Sequence, residues 1–292
     1  MKATPDTIGW IGLGAMGWPM AGHLHAQGHL RAIWNRSADK AQAFAEQHPG
    51  VAITDSPADL AQAVQSLAIC VSADEDLAEV IDALLPGLSA GQTLIDHSTV
   101  SPAAARRQAQ RLAEIGVGFV DAPVTGGVEG AIKGQLAVMA GGEWDHYHAM
   151  IPFLDAYSRI HHHLGPSGAG QSAKAVNQLM VAGIAEAVCE SLALMDTLDL
   201  PREMMLELLS GGAAGNWFLD KRGRTMLADE FEVGFSPRRL RKALKICQSL
   251  CDEVGFQSSV LSQAIADYQH LLDQHEPGKD ISALIRYKKP AG

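Results

Sequence analysis

The chain has 292 residues, 47% of them hydrophobic and 19% charged, which supplies a sizeable core, allows two domains and excludes wholesale disorder. Its 33 Asp and Glu outnumber 23 Lys and Arg, and a formal net charge of −10 disfavours a nucleic-acid partner. The apolar runs break off short of the ~18 to 20 residues of a membrane span, and the N-terminus shows no signal-peptide pattern. Four cysteines, at 70, 189, 247 and 251, are too sparse for a disulfide framework. These bounds predict a soluble cytoplasmic protein with no membrane partner.

Through residue 165 or so, short apolar runs alternate with helix-like stretches. Strands are predicted at 7–12, 30–35, 51–53, 67–72, 93–96, 118–121, 136–140 and 158–163. Ala-rich segments of helical period, such as 38–47 and 102–115, lie between many of them. That alternation is the pattern of βαβ units and a mostly parallel sheet. Past Gly165 the texture changes. A Gly-Pro-Ser-Gly-Ala-Gly turn cluster opens a long helix, 171 to about 198, followed by helices at 202–209, 237–254 and 258–274. The expected architecture is α/β: a Rossmann-type doubly wound sheet at 1–165, joined by the long helix to an all-α domain at 166–292. The tail from Arg286 to Pro290 reads as a loose end.

The first strand runs into Gly12-Leu13-Gly14-Ala15-Met16-Gly17, and a helix follows at once. This is the order a dinucleotide site needs. Gly12 permits the tight turn, Gly14 lets the backbone approach a pyrophosphate, and Gly17 lets helix and strand pack closely. The helix N-terminus then faces the phosphates with free N–H groups. The second strand ends in Asn35-Arg36-Ser37, where an NAD site would carry a carboxylate for the ribose diol. Arg36 suits a 2′-phosphate, which favours NADP(H) over NAD(H). Arg36 as an ordinary solvated residue, with Asp39 reaching a ribose, is the alternative.

Four blocks together resemble the β-hydroxyacid dehydrogenase family, which includes 3-hydroxyisobutyrate dehydrogenase and the tartronate and succinic semialdehyde reductases. They are the glycine signature continued to Trp18-Pro19-Met20, the Asp121–Gly127 block, the Gly168–Gln178 block and the Phe235–Lys242 segment. The resemblance implies hydride transfer between NADP(H) or NAD(H) and a small 3-hydroxy acid or its semialdehyde. It implies a proton donor at Lys174 and a substrate site at Thr125, Gly126, Gly127, Asn177 and Gln178; Trp217 reads as an apolar wall of that pocket or as an ordinary core aromatic of the helical domain. It places Val71, Ser72, Thr99, Phe235 and Lys242 against the cofactor. The partner would be a small carboxylate-bearing substrate, and the protein a homodimer or homotetramer.

Chemistry supports these assignments independently. Reducing an aldehyde leaves charge on oxygen, so a proton donor must lie within hydrogen-bond reach. Lys174 stands in the first turns of the long helix, where the helix terminus and burial both disfavour an ammonium. Asn177 and Gln178, at i+3 and i+4, share its face. Taken alone, a lysine opening a helix is more often a surface residue. Thr125-Gly126-Gly127 offers backbone N–H groups to a carboxylate as an anion nest, or is a plain turn.

Three positions depart from the family pattern: Thr125 for Ser, Gln178 for Asn, and Ala243 for an Asp after Lys242. Other readings are an imine reductase, which would lack the Lys174–Asn177 block, and a non-catalytic NADPH-binding protein on the same fold. A 6-phosphogluconate dehydrogenase relative would need a longer helical half. No metal is expected. The run His161-His162-His163 alternates across a strand and cannot converge on one ion. Cys247 and Cys251 form at most half a site and read as buried thiols.

Overall fold

The computed structural model describes residues 7–232, 234–274 and 279–289. They fall into two compact units, the first ending at Lys174 and the second beginning at Ala175. In sequence the texture changes at 165/166, just ahead of the helix within which the units divide.

The first unit is a nine-stranded sheet with β1 (Ile8–Ile11), β2 (Leu30–Trp34), β3 (Ala52–Ile53), β4 (Ser66–Ile69), β5 (Thr93–Asp96), β6 (Gly118–Asp121), β7 (Val124–Thr125), β8 (Leu136–Gly142) and β9 (Ser158–His163). Its helices are α1 (Gly17–Ala26), α2 (Ala38–Gln47), α3 (Pro57–Ala63), α4 (Asp74–Leu84), α5 (Pro102–Ala113), α6 (Gly127–Ile132) and α7 (Trp144–Leu154). The strand order is β3-β2-β1-β4-β5-β6-β8-β7, with β9 on β8. From β3 to β6 every pairing is parallel. Reversal between β1 and β4 is the doubly wound arrangement.

Strands β1, β4, β5 and β6 are buried throughout, as expected of central parallel strands covered on both faces. One core packs Trp10, Met20, Leu24, Phe44 and Tyr157, and another packs Leu60, Leu77, Ile81, Leu94 and Leu112. At the edge, β3 is two exposed residues long, too short to template association. Helices start where the sequence supplies a cap. Ser56 and Ser101 each accept an N–H three residues on and are followed by proline at the first helical position.

The mostly parallel sheet breaks at β8, which runs antiparallel to β6 and β7. A parallel crossover needs a dozen or more residues, usually with a full helix. Between β6 and β8 the chain is spent on β7 and the six-residue α6, so it returns in the opposite direction. Strand β7 was missed in sequence because it is two residues long and follows Pro123.

The second unit is all helical among the described residues. Helix α8 (Ala169–Thr197) leads into α9 (Arg202–Gly211), α10 (Trp217–Leu227), α11 (Pro237–Val254) and α12 (Ser259–Asp273), then a 3-10 helix at Ile281–Tyr287. The periodicity reading did not name α10. By length and composition α8 can cross a membrane, with mean hydropathy 1.5 over its apolar window, although half of that window is buried inside the protein. A count of uninterrupted apolar runs missed this because polar residues such as Asn177 and Gln178 punctuate the helix. Ala182, Ala185, Cys189 and Leu192 on α8 belong to the helical core.

The tail is not loose through Lys289. Ala283, Leu284 and Ile285 are buried, and the charges after them are paired. Arg286 bonds Asp229 and lies over the Phe231 ring, and Lys289 reaches Asp196. The Lys288 ammonium lies 2.6 Å from Glu186, 2.9 Å from Glu190 and 2.7 Å from Asp267. The final proline of the predicted loose end, Pro290, lies outside the described residues. Burial pushes Glu186 up and the carboxylates hold Lys288 protonated, so the ammonium is the counter-charge of a mostly enclosed acidic group. We expect Lys288→Met to lower unfolding stability by about 2 kcal/mol at pH 7, less than a fully buried pair because Glu190 is open to solvent. The loss should shrink on acidification as the stranded carboxylates protonate, which denaturant melts at two pH values would show.

Candidate functional site

The reversal between β1 and β4 opens a crevice at the C-terminal ends of both strands, and the glycine turn fills its floor. Trp10, fully buried, donates its indole N–H to the Gly12 carbonyl at 3.0 Å and pins the turn from below. Gly12 has φ +97°, and a Cβ there would sit 2.1 Å from the Cys70 carbonyl oxygen; one at Gly17 would sit 1.9 Å from the Gly12 carbonyl. Those two glycines are demanded by the protein itself. Gly14 is different, since a Cβ there meets nothing within 4 Å. The space above Gly14 is therefore open to something from outside, as close approach by a pyrophosphate requires.

A cleft of about 260 Å³ runs from this turn to the end of β2. Gly12, Leu13, Gly14, Asn35, Arg36, Ser37, Val71 and Ser72 line it, and the sequence had named all eight. Asn35 accepts the Leu13 N–H at 2.8 Å and donates to the Ser37 carbonyl, tying the turn to the end of β2. Ala15, Met16 and Gly17 continue the turn into α1, whose first turn holds no acidic side chain to oppose an anion. The residues fit a dinucleotide. Sequence reasoning missed Lys40, Asp76 and Glu79, which line the same cleft from α2 and α4. Arg36 is 81% exposed and sits 3.2 Å from Asp76, so its charge is already partnered.

A second polar cluster gathers where β5 and β6 end. Asp121, fully buried, accepts the Gly168 N–H at 2.7 Å and the Gln171 N–H at 2.9 Å, so it caps the start of α8. Gln171 donates to the Ser98 carbonyl and accepts the Val100 N–H. Ser98 in turn accepts the Val71 N–H, while Thr99 beside it is half-buried. Lys174, 8% exposed, donates its ammonium to the Val124 carbonyl at 2.8 Å, next to Thr125-Gly126-Gly127. Gly126 and Gly127 have φ of +127° and +65° and form the turn into α6. The predicted proton donor and the predicted carboxylate loop thus meet.

His97 supports this cluster from below. It stacks on Trp10, with Nδ1 2.8 Å from the Ala122 carbonyl and Nε2 2.8 Å from the Tyr157 hydroxyl. Burial holds His97 down at about 4, against the pull of the Ala122 carbonyl, so the ring is neutral at pH 7. Nδ1 then carries the proton toward Ala122, and Nε2 accepts from Tyr157. Burial pushes Asp121 up to about 6, opposed by the backbone N–H groups of Gly168 and Gln171. Neither His97 nor the capping role of Asp121 was visible in sequence, because their partners lie 25 to 60 residues away.

The remaining predicted residues belong to the second unit. Asn177 donates to Gln178, which is buried, at 2.9 Å. Trp217 opens α10, 55% exposed, beneath the Arg222 guanidinium. Phe235 packs on the helical core and gives its N–H to Asp280, and Lys242 lies half-buried on α11. Among the described residues no group of three or more His, Cys, Asp or Glu is placed to hold a metal ion. His161 is occupied by Tyr147 and Asp155, and His163 by the Gly142 carbonyl. The four cysteines are unbridged, with Cys247 and Cys251 buried.

A doubly wound sheet with a glycine turn at its switch point and an open cleft above Gly14 defines a dinucleotide-binding fold, and the similarities that follow make it that of an NAD(P)-binding oxidoreductase. Residues 7–165 match the family described as the NAD binding domain of 6-phosphogluconate dehydrogenase, and residues 168–288 the NAD-binding domain of NADP-dependent 3-hydroxyisobutyrate dehydrogenase. The chain belongs to the β-hydroxyacid dehydrogenase family, whose members act on small hydroxy acids and aldehydes. An uncharacterised oxidoreductase of Shewanella frigidimarina is 40% identical over 82% of this chain and 83% of its own length. The uncharacterised oxidoreductase YkwC of Bacillus subtilis is 31% identical over 96% of this chain and 98% of its own. Among solved structures, 3-hydroxyisobutyrate dehydrogenase of Mycobacterium tuberculosis with L-serine superposes with a TM-score of 0.88 at 27% identity, covering 98% of this chain and all of that one.

Two measurements check this geometry. Gly14→Ala should melt with the wild type, because its Cβ has room, yet lose at least about tenfold in coenzyme affinity as the methyl blocks the phosphates. Equal affinity would refute the assignment of the cleft.

The second concerns acid stability. His97 is depressed from 6.5 to about 4, so it favours the fold above pH 6.5 and withdraws that support as pH falls toward 4. Asp121 is raised from 3.8 to about 6, so its contribution is fully present below 3.8 and lost as pH rises through 6. Between pH 6 and 4 the two oppose, each changing by roughly 1.4 kcal/mol per pH unit. Asp121→Asn removes the gain and should lose about 2 kcal/mol more than the wild type across that interval in denaturant melts.

Proposed function

We propose that this protein is an NADP(H)-preferring cytoplasmic reductase or dehydrogenase that exchanges a small 3-hydroxy acid with its semialdehyde. The observation that carries the reading is Lys174, buried, anchored on the Val124 carbonyl and adjacent to Thr125-Gly126-Gly127. A nicotinamide coenzyme held by the Gly12–Gly17 turn and Asn35 would supply or accept the hydride. Backbone N–H groups of the glycine turn and the Thr125 hydroxyl hold the substrate carboxylate. Lys174 gives its proton to the oxygen in reduction and takes it back in oxidation, and its bond to Val124 fixes the ammonium's direction before substrate arrives. Val71, Ser72 and Thr99 would meet the coenzyme.

Arg36 and Lys40 support a 2′-phosphate at the adenosine end of the cleft. The exposed Arg36–Asp76 pair is worth under ~1 kcal/mol, so a phosphate displaces it readily. The mycobacterial enzyme was solved with L-serine, a small β-hydroxy acid, and that supports the substrate class. Exposed Val176, Met180, Leu194 and Leu198 along α8 suit a homodimer or homotetramer. The net negative charge argues against nucleic acid, and no membrane role is proposed. The presence of Lys174 favours a dehydrogenase over an imine reductase or a non-catalytic coenzyme-binding protein.

The test follows oxidation of NADPH and NADH against a panel of small semialdehydes and glyoxylate. One aldehyde should turn over with NADPH preferred. Lys174→Ala should lose on the order of 10²- to 10⁴-fold in kcat. Arg36→Ala should lose about tenfold or more in kcat/KM with NADPH and little with NADH. Coenzyme binding without turnover of any aldehyde sinks the reading.

A further inference from the structure

We propose that Asp121 is a positioning residue of this enzyme: its buried carboxylate clasps the first turn of α8 to the end of β6 and so fixes where the Lys174 ammonium stands. The inference rests on the role given to Lys174 above. The two chain segments meet at two points. Asp121 holds Gly168 and Gln171 at 2.7 and 2.9 Å. One helical turn beyond Gln171, Lys174 holds the carbonyl of Val124, three residues beyond Asp121, at 2.8 Å. Ala122 and Pro123 span the strand side of this loop, and His97 holds the Ala122 carbonyl in place. A shift of the helix start therefore moves Nζ relative to Thr125-Gly126-Gly127.

The clasp is built without slack. A Cβ on Gly141 would lie 2.8 Å from one Asp121 oxygen, and a Cβ on Gly170 would lie 2.9 Å from the other. No side chain or sideways drift fits there. The carboxylate also sits at a helix N-terminus, where negative charge is favoured. Protonation removes an acceptor site from one oxygen, and one of the two N–H bonds weakens. Burial brings that event to about pH 6. Other titratable groups pack around Asp121. Asp96 is the register partner on β5, with one oxygen on the Ser98 N–H. His97, one residue past the end of that strand, stays neutral across this range, and β8 brings the Met139 carbonyl, Gly141 and Gly142, none of them charged. Arg106 of α5 packs on Gly168, His163 of β9 on the Gly142 carbonyl, and Lys174 is the cation of α8.

The experiment compares kcat, substrate KM and NADPH Kd across about pH 5 to 8 for the wild type, Asp121→Asn, Asp121→Glu and Lys174→Ala. Wild-type kcat should fall below about pH 6 while NADPH Kd holds steady. Asp121→Asn should lose roughly 10- to 100-fold in kcat, keep NADPH Kd within about twofold and lose the acid limb. Asp121→Glu should be slower than the wild type and retain a displaced limb. The proposal is overturned if Asp121→Asn keeps the wild-type kcat, or keeps the limb unchanged. Should that variant fail to fold, a wild-type kcat flat across the range overturns it as well. Lys174→Ala separates the two ideas. If it retains kcat, the proton-donor reading has failed; if it alone is inactive, only the positioning role has.

Discussion

Everything at the nucleotide cleft depends on β1 lying between β2 and β4, because that reversal of winding leaves no crossover helix above the ends of β1 and β4. The gap is kept narrow by backbone contact. The Gly12 turn lies against the Cys70 carbonyl at the end of β4 and against the start of α1, so a single atom added at either glycine collides with a carbonyl. Asn35 then ties the turn to β2 and Ser98 ties β4 to β5. Four strand ends are thereby held in one fixed array by side chains that bond backbone N–H groups.

The polar cluster beneath Lys174 is a more costly construction. Asp96, His97, Asp121, Gln171 and Lys174 are all buried, and burying polar groups is unfavourable unless they are bonded. The structure meets the cost mostly with backbone groups: an N–H for Asp96, two N–H donors for Asp121, a carbonyl for His97 beside its bond to the Tyr157 hydroxyl, a carbonyl and an N–H for Gln171 and a carbonyl for Lys174. Backbone partners do not titrate and do not change rotamer. They therefore convert a set of ionisable side chains into a frame whose geometry is set by the sheet.

Much of the fold was legible because its signals are local. The buried parallel strands are continuous apolar runs, Ser-Pro pairs mark several helix starts, and the glycine turn carries its own spacing. Six cleft residues, at the turn and the β2 end, were found this way, while Val71 and Ser72 at the β4 end came from the family resemblance. What escaped depends on distance. Strand β7 exists only because Val124 and Thr125 pair with Val138 and Ala137, and two residues have no period. The tail seemed free because the partners of its lysines lie roughly 20 to 100 positions earlier. Asp121 was visible as part of a block and not as a cap, since nothing in sequence joins residue 121 to residues 168 and 171.

The two clusters make opposite electrostatic choices, and that difference follows from exposure. At the adenosine end, Arg36 and Asp76 meet in solvent, where an ion pair is weak and exchangeable, a suitable arrangement for a site that must release its ligand. At Lys174 the charge is enclosed, so each contact is strong and an error of position cannot be screened away. The proton-donor role proposed for Lys174 calls for the second kind of surroundings. Direction and reach decide whether the proton transfers, and in a low-dielectric setting a fixed carbonyl and a capped helix supply both. The same enclosure raises the Asp121 carboxyl, so the proposed clasp would link the acid behaviour of the fold to the placement of Lys174.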